Sequence, residues 1–160
     1  MPGQTASDIG APALATALSV ADYAAISAFR FRLRQFLVFS EAVAGTAGLP
    51  PQQHQALLAI AGHEEDAPPC VGTLAEELLI APHSAAELAN RMVRAGLVSK
   101  RTSRHDRRRI ELRLTCRARA LLADLTRAHL DELRTLKPAL VRALHRLDAE
   151  RAGPSDRSTL

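Results

Sequence analysis

The spacing of apolar residues changes along the chain, and each change marks an element. From Asp22 onward Ile26, Phe29, Leu33, Phe36, Leu37 and Val43 recur at three- and four-residue spacing, the repeat of an amphipathic helix. Asp22 suits the N-cap, and Gly45 or Gly48 suits the end. Leu49-Pro50-Pro51 opens a second, shorter helix through Ile60, closed by Gly62. Residues 63–72 read as a charged loop. Thr73-Leu74-Ala75-Glu76 has the form of a capping box, with Thr73 as cap and Glu76 reaching back; its helix runs to about Leu79. Pro82 suits a first helical position, where a backbone N–H would be unpaired anyway. The helix from Pro82 to Ala95 stops at Gly96, which can adopt the left-handed conformation of a helix end. Two short helices joined by a tight break at Ile80-Ala81 predict a helix-turn-helix.

After Gly96 the period becomes two. Leu97 to Thr102 reads as a strand and Ser103 to Arg107 as a charged turn. Arg109 to Leu114 reads as a second strand, with Ile110, Leu112 and Leu114 inward and Arg109, Glu111 and Arg113 outward. The pair forms a hairpin, a wing beside the helix-turn-helix. From Cys116 the helical repeat returns through Leu121, Leu122, Leu125, Leu130, Leu133 and Leu136. Pro138 then breaks the run and starts a last helix with Leu140, Val141, Leu144 and Leu147. The expected fold class is mainly α with a small β-hairpin wing. Its parts are a flexible arm (1–20), a first helix (21–48), a winged helix-turn-helix (49–115), C-terminal helices (116–149) and a flexible tail (150–160). The apolar stripes on the first and last helices exceed what one small winged domain needs to bury. Two chains sharing them would form an obligate interface, so both regions are read as dimerisation helices.

Composition narrows the class. The chain has 160 residues, 47% apolar and 24% charged, the balance of one soluble globular domain. Aromatic residues are 3% and Trp is absent, so the core must be Leu, Ala and Val. No apolar run approaches the ~18 residues of a membrane span. Met1 to Val20 lacks the basic start of a secretory signal. The expected compartment is the cytoplasm, with no membrane partner. Cys70 and Cys116 have neither disulfide-framework nor metal-ligand spacing.

The charge distribution adds a partner. The formal net charge is +4, but Arg91 to Arg119 holds eleven basic residues against the two acids Asp106 and Glu111. A basic block in an otherwise acidic chain is an electrostatic footprint for a polyanion. Nearly all the cations are Arg, which binds phosphate bidentately and enters narrow grooves. The expected partner is double-stranded DNA. The second helix of a helix-turn-helix lies in the major groove. Here Ala85, Leu88, Ala89 and Met92 face inward, while His83, Ser84, Glu87, Arg91 and Arg94 face outward with Asn90 beside them. Arg91 and Arg94 suit phosphates; His83 and Ser84 suit bases or phosphates. Glu87 either accepts from a cytosine amino group or satisfies local donors. Thr73 and Arg101 complete the candidate contacts outside the turn. Arg104, Arg107 and Arg108 sit at the wing tip, where a narrow minor groove attracts Arg. Asp106 is out of place on such a tip unless its role is internal, and a wing salt bridge from Asp106 to Arg108 is expected.

Other chemistry is thin. None of the six histidines has metal-site spacing. His63 with Glu64, Glu65 and Asp66 could hold a cation, although a solvated loop is the simpler reading. No cation flanks Cys70 in sequence to activate it; Cys116, followed by Arg117 at a helix start, has slightly better grounds, although a buried or idle thiol is the simpler reading. No Ser-His-Asp order, phosphate loop or carboxylate pair stands out, so no enzyme, metal or cofactor is expected. The alternative to a DNA reader is a winged helix that binds protein instead.

Gly96-Leu97-Val98, Asp106-Arg107-Arg108 and Leu114-Thr115, preceded by Leu74-Ala75, resemble the motifs of the MarR family of bacterial winged helix-turn-helix regulators. The likeness runs over about residues 22–148, with Ala118 where the family usually has Gly. The pair Pro82-His83 stands where the family commonly has small hydroxyl residues. The resemblance implies a homodimer on a pseudo-palindromic operator, acting as a repressor. It also implies release by a small phenolic or anionic ligand, for which Phe29, Phe36 and His54 are the candidate contacts.

Overall fold

The computed structural model describes residues 18–63, 68–104 and 106–149. The arm up to residue 17, the tail from 150, Glu64 to Ala67 and His105 lie outside these. The elements are α1 (Val20–Thr46), α2 (Pro51–Gly62), α3 (Val71–Glu77), α4 (Pro82–Arg94), β1 (Val98–Thr102), β2 (Ile110–Leu114) and α5 (Cys116–Ala149). The result is mainly α with one antiparallel hairpin, as the periodicity predicts.

Helix ends account for several differences. α1 is capped by Ser19, not Asp22. The Asp22 backbone N–H donates to Ser19 Oγ at 3.1 Å, and the Asp22 carboxylate accepts from the Ser19 N–H at 2.6 Å. Asp22 is therefore the third residue of the capping box, reaching back. α3 likewise starts earlier than Thr73. Cys70 is its cap, and Thr73 Oγ1 accepts from the Cys70 N–H at 3.4 Å. The break before α4 falls on Leu79, whose φ of +53° is left-handed. Gly96 ends α4 with φ +69°, as expected from its lack of a Cβ.

The hairpin pairs Val98 with Leu114 and Thr102 with Ile110. Its expected alternation holds on β2 at Arg109, Leu112 and Leu114 but departs at two residues: Ile110 is exposed, and Glu111 is buried beside Leu112. A short extended segment also lies on the outer edge of β2. Leu112 N–H donates to Pro69 O at 2.8 Å, and Cys70 forms a bridge with Glu111. That segment pairs with β2 at Glu111, which is 8% exposed.

α5 runs unbroken through Pro138, so the expected two helices are one. Proline removes one intrahelical hydrogen bond, and packing along α1 offsets the loss. The core of the winged part is Leu57, Ile60, Leu74, Leu88, Met92 and Leu112, with Ala118, Leu122 and Leu125 of α5 joining it. Thr115 fastens the start of α5 to the link between α4 and β1: its Oγ1 donates to Gly96 O at 2.8 Å and its N–H to Leu97 O at 3.0 Å. Arg117 reaches Ala95 O at 3.4 Å. Among the described residues, no helix is long and apolar enough to cross a membrane.

Candidate nucleic-acid interface

Ala85, Leu88, Ala89 and Met92 fall on one face of α4 and are buried. The opposite face follows from the helical repeat. His83, Glu87, Asn90, Arg91 and Arg94 are exposed there, and Ser84 is half-buried at the helix start. Arg91 and Arg94 occupy the last turn, where cations interact favourably with the helix dipole. Asn90 has a structural partner that sequence reading missed: Lys100 Nζ of β1 donates to its Oδ1 at 2.6 Å. The contact ties the exposed face of α4 to the middle of β1. Thr73 lies on α3, half-buried and hydrogen-bonded to Cys70. Arg101 lies on β1, exposed and opposite Glu111.

The wing tip is closed by backbone bonds. Arg109 N–H donates to Asp106 O at 2.9 Å, and Ser103 N–H to Arg109 O at 2.8 Å. The Asp106 carboxylate accepts from the backbone N–H of Arg108 at 2.9 Å. The expected salt bridge to the Arg108 guanidinium is thus replaced by a side-chain-to-backbone turn, a local bond that short acidic side chains favour. Arg104, Arg107 and Arg108 are exposed at this tip. Arg109 turns the other way, with Nη2 on Pro68 O at 3.1 Å.

The fold brings Arg109 close to Cys70, which sequence neighbourhood alone did not reveal. Burial raises the Cys70 thiol pKa, but hydrogen bonds with Thr73 and Gly72 and the Arg109 charge outweigh it and leave the thiol lowered. Glu111 is lowered too. The Ser103 hydroxyl is the largest cause, burial opposes it, and Arg113 adds to the lowering.

The candidate ligand residues divide. His54 on α2 is buried, and its ring lies 4.7 Å from that of His129 on α5. Phe36 and Phe39 of α1 meet the same His129 ring edge-on at 5.9 and 5.7 Å. His129 is held by Ser40 Oγ at 2.8 Å and Leu125 O at 2.6 Å. Among the described residues His54 Nε2 is buried without a partner. Burial, then the nearby His129, push the His54 pKa down. Phe29 lies two turns before Phe36, half-buried. His63 is paired with Glu77 of α3 at 2.8 Å, while Glu64, Glu65 and Asp66 of the suggested cation cluster lie outside the described residues. Among the described residues no group of three or more potential ligands gathers for a metal.

Residues 47–109, from the end of α1 to the wing tip, match the MarR family. No curated protein sequence matches the chain. AbsC, a MarR family transcriptional regulator from Streptomyces coelicolor, is similar with a TM-score of 0.64 at 18% identity, over 84% of this chain and 92% of that one. A MarR family protein from Bacillus stearothermophilus gives 0.65 at 20% identity, over 84% and 99%. A mutant of S. aureus MepR, bound to an oligodeoxyribonucleotide, gives 0.58 at 18% identity, over 80% and 91%. The chain therefore has the winged helix-turn-helix fold of MarR-family transcription regulators and matches that family in sequence over residues 47–109.

Proposed function

We propose that this protein is a sequence-specific DNA-binding repressor that works as a homodimer on a pseudo-palindromic operator. The observation that carries the reading is the exposed face of α4 standing beside an arginine-tipped hairpin, the two pinned together by Lys100 and Asn90. His83, Ser84 and Glu87, near the start of α4, read base edges. Arg91, Arg94, Arg101 and Thr73 hold phosphates, and Arg104, Arg107 and Arg108 enter the flanking minor groove. The solved oligodeoxyribonucleotide complex of MepR supports the choice of partner. Exposed Tyr23, Ile26 and Leu37 on α1 with Leu130, Leu133 and Leu144 on α5 support the homodimer.

A small phenolic or anionic ligand releases the DNA by binding where Phe36, His54 and His129 meet, between the dimerisation helices and the winged part. It acts only so far as it prefers the conformer whose two α4 helices are wrongly spaced. Selection of bound sequences from random duplex DNA tests the core of the proposal. The expected result is a motif with two-fold symmetry and half-sites one helical turn apart, roughly 34–36 Å. Failure to enrich any sequence at low salt would reject the DNA reader in favour of a protein-binding winged helix.

A further inference from the structure

Glu111 is an acid buried in the most basic part of the molecule. Its backbone is bridged to Cys70 of the extended segment at residues 68–70, and the whole residue is 8% exposed. Two groups hold the carboxylate. Arg113 Nη2 donates to Oε2 at 3.1 Å, and the Ser103 hydroxyl donates to it as well. Ser103 is itself buried and closes the hairpin through its N–H on Arg109 O. Glu111 thus joins Arg113, two residues further along β2, to the first residue of the tip loop. On the other strand, Arg101 stands directly opposite.

Two consequences of this placement oppose one another. By Coulomb's law alone, a carboxylate among wing arginines weakens the attraction of DNA. By geometry, the same carboxylate fixes the base of the loop that carries Arg104, Arg107 and Arg108. A minor-groove contact depends on where those side chains stand as well as on their number.

We propose that Glu111 is a positioning residue for the wing: by holding Ser103 and Arg113 together, it sets the angle at which the arginine tip meets the minor groove. The inference rests on the DNA-binding reading above. It concerns how the tip is aimed, and Glu111 itself touches no DNA.

The sign of one substitution separates the two consequences. Glu111→Gln removes a negative charge near DNA, so a purely electrostatic role predicts tighter binding. Positioning predicts weaker binding, by roughly threefold to tenfold, the worth of one hydrogen bond. Ser103→Ala changes no charge and removes the other end of the bond, so it should weaken binding similarly. The double variant should bind no worse than the poorer single, since both break one link. Affinity is read by fluorescence anisotropy on a duplex recovered from the selection, well below the melting temperature of each variant. Hydroxyl-radical footprints provide a readout that general destabilisation would not move: protection of the flanking minor groove falls, while that of the α4 face remains. Equal or tighter binding by Glu111→Gln, or an unchanged footprint, overturns the proposal. If Glu111→Gln does not fold, Ser103→Ala decides by the same two readouts. Wild-type affinity that survives replacing Arg104, Arg107 and Arg108 together with Ala would instead reject the wing as a DNA contact, which is a failure of the reading beneath.

Discussion

Asp106 spends its carboxylate on a backbone N–H and so shapes the tip around Arg104, Arg107 and Arg108 without neutralising a guanidinium. Replacing those three arginines with Ala should flatten the dependence of log affinity on log salt by about 0.9 for each phosphate no longer neutralised. Anisotropy titrations across a KCl series measure it, and an unchanged slope would remove the tip from the interface. A second residue-scale prediction concerns acid. The His54 pKa is pushed below its ordinary 6.5, so below that pH the unfolded chain takes up a proton that the folded chain resists. Stability should fall as pH drops from about 6.5, and His54→Gln should blunt the fall in denaturant titrations at pH 7.5 and 5.5. Glu111 acts in a lower window: its depressed pKa supports the fold above the ordinary carboxylate value of 4.5 and is lost as pH falls through the folded one. At this scale the sequence was only partly legible. An acid at the tip of a polyanion reader signals an internal role, but no pattern identifies a backbone N–H as its partner. Arg109 beside Cys70 was likewise hidden, because the two meet only through strand pairing.

At the scale of elements, the strongest expectations were those with punctuation at both ends. Pro82 and Gly96 bracket α4, and the period-two residues on either side of the tip delimit the hairpin. Gly96 has φ +69° with open space where a Cβ would stand. Gly96→Ala should therefore cost about 1–2 kcal/mol of backbone strain and no steric clash, measurable by urea denaturation. The failed expectations have two physical sources. Pro138 predicts a break from local rules, but tertiary packing on α1 keeps α5 continuous. Pro138→Ala should restore the missing backbone bond and stabilise the protein by about 1–3 kcal/mol; a loss of stability would show that the proline is required for α5 to follow α1. The pairing of residues 69 and 70 with β2 was hidden because residues 68–70, which include two prolines, look like loop until they meet it.

For the whole molecule, the exposed apolar residues of α1 and α5 bear on the proposed homodimer. Leu37 is 50% and Leu133 40% exposed, on helices already packed together through their other faces. Joint replacement by Glu should convert dimers to monomers in sedimentation velocity and weaken operator binding in parallel; a wild type that sediments as a monomer at micromolar concentration would exclude the proposed assembly. The Thr115 fastening bears on how such a pair would respond to a signal. α5 is about 51 Å long at 1.5 Å per residue, and its start is tied to Ala95 and Gly96, the two residues that follow α4. A stiff shaft joined to its blade at this point should carry the blade with it when it turns.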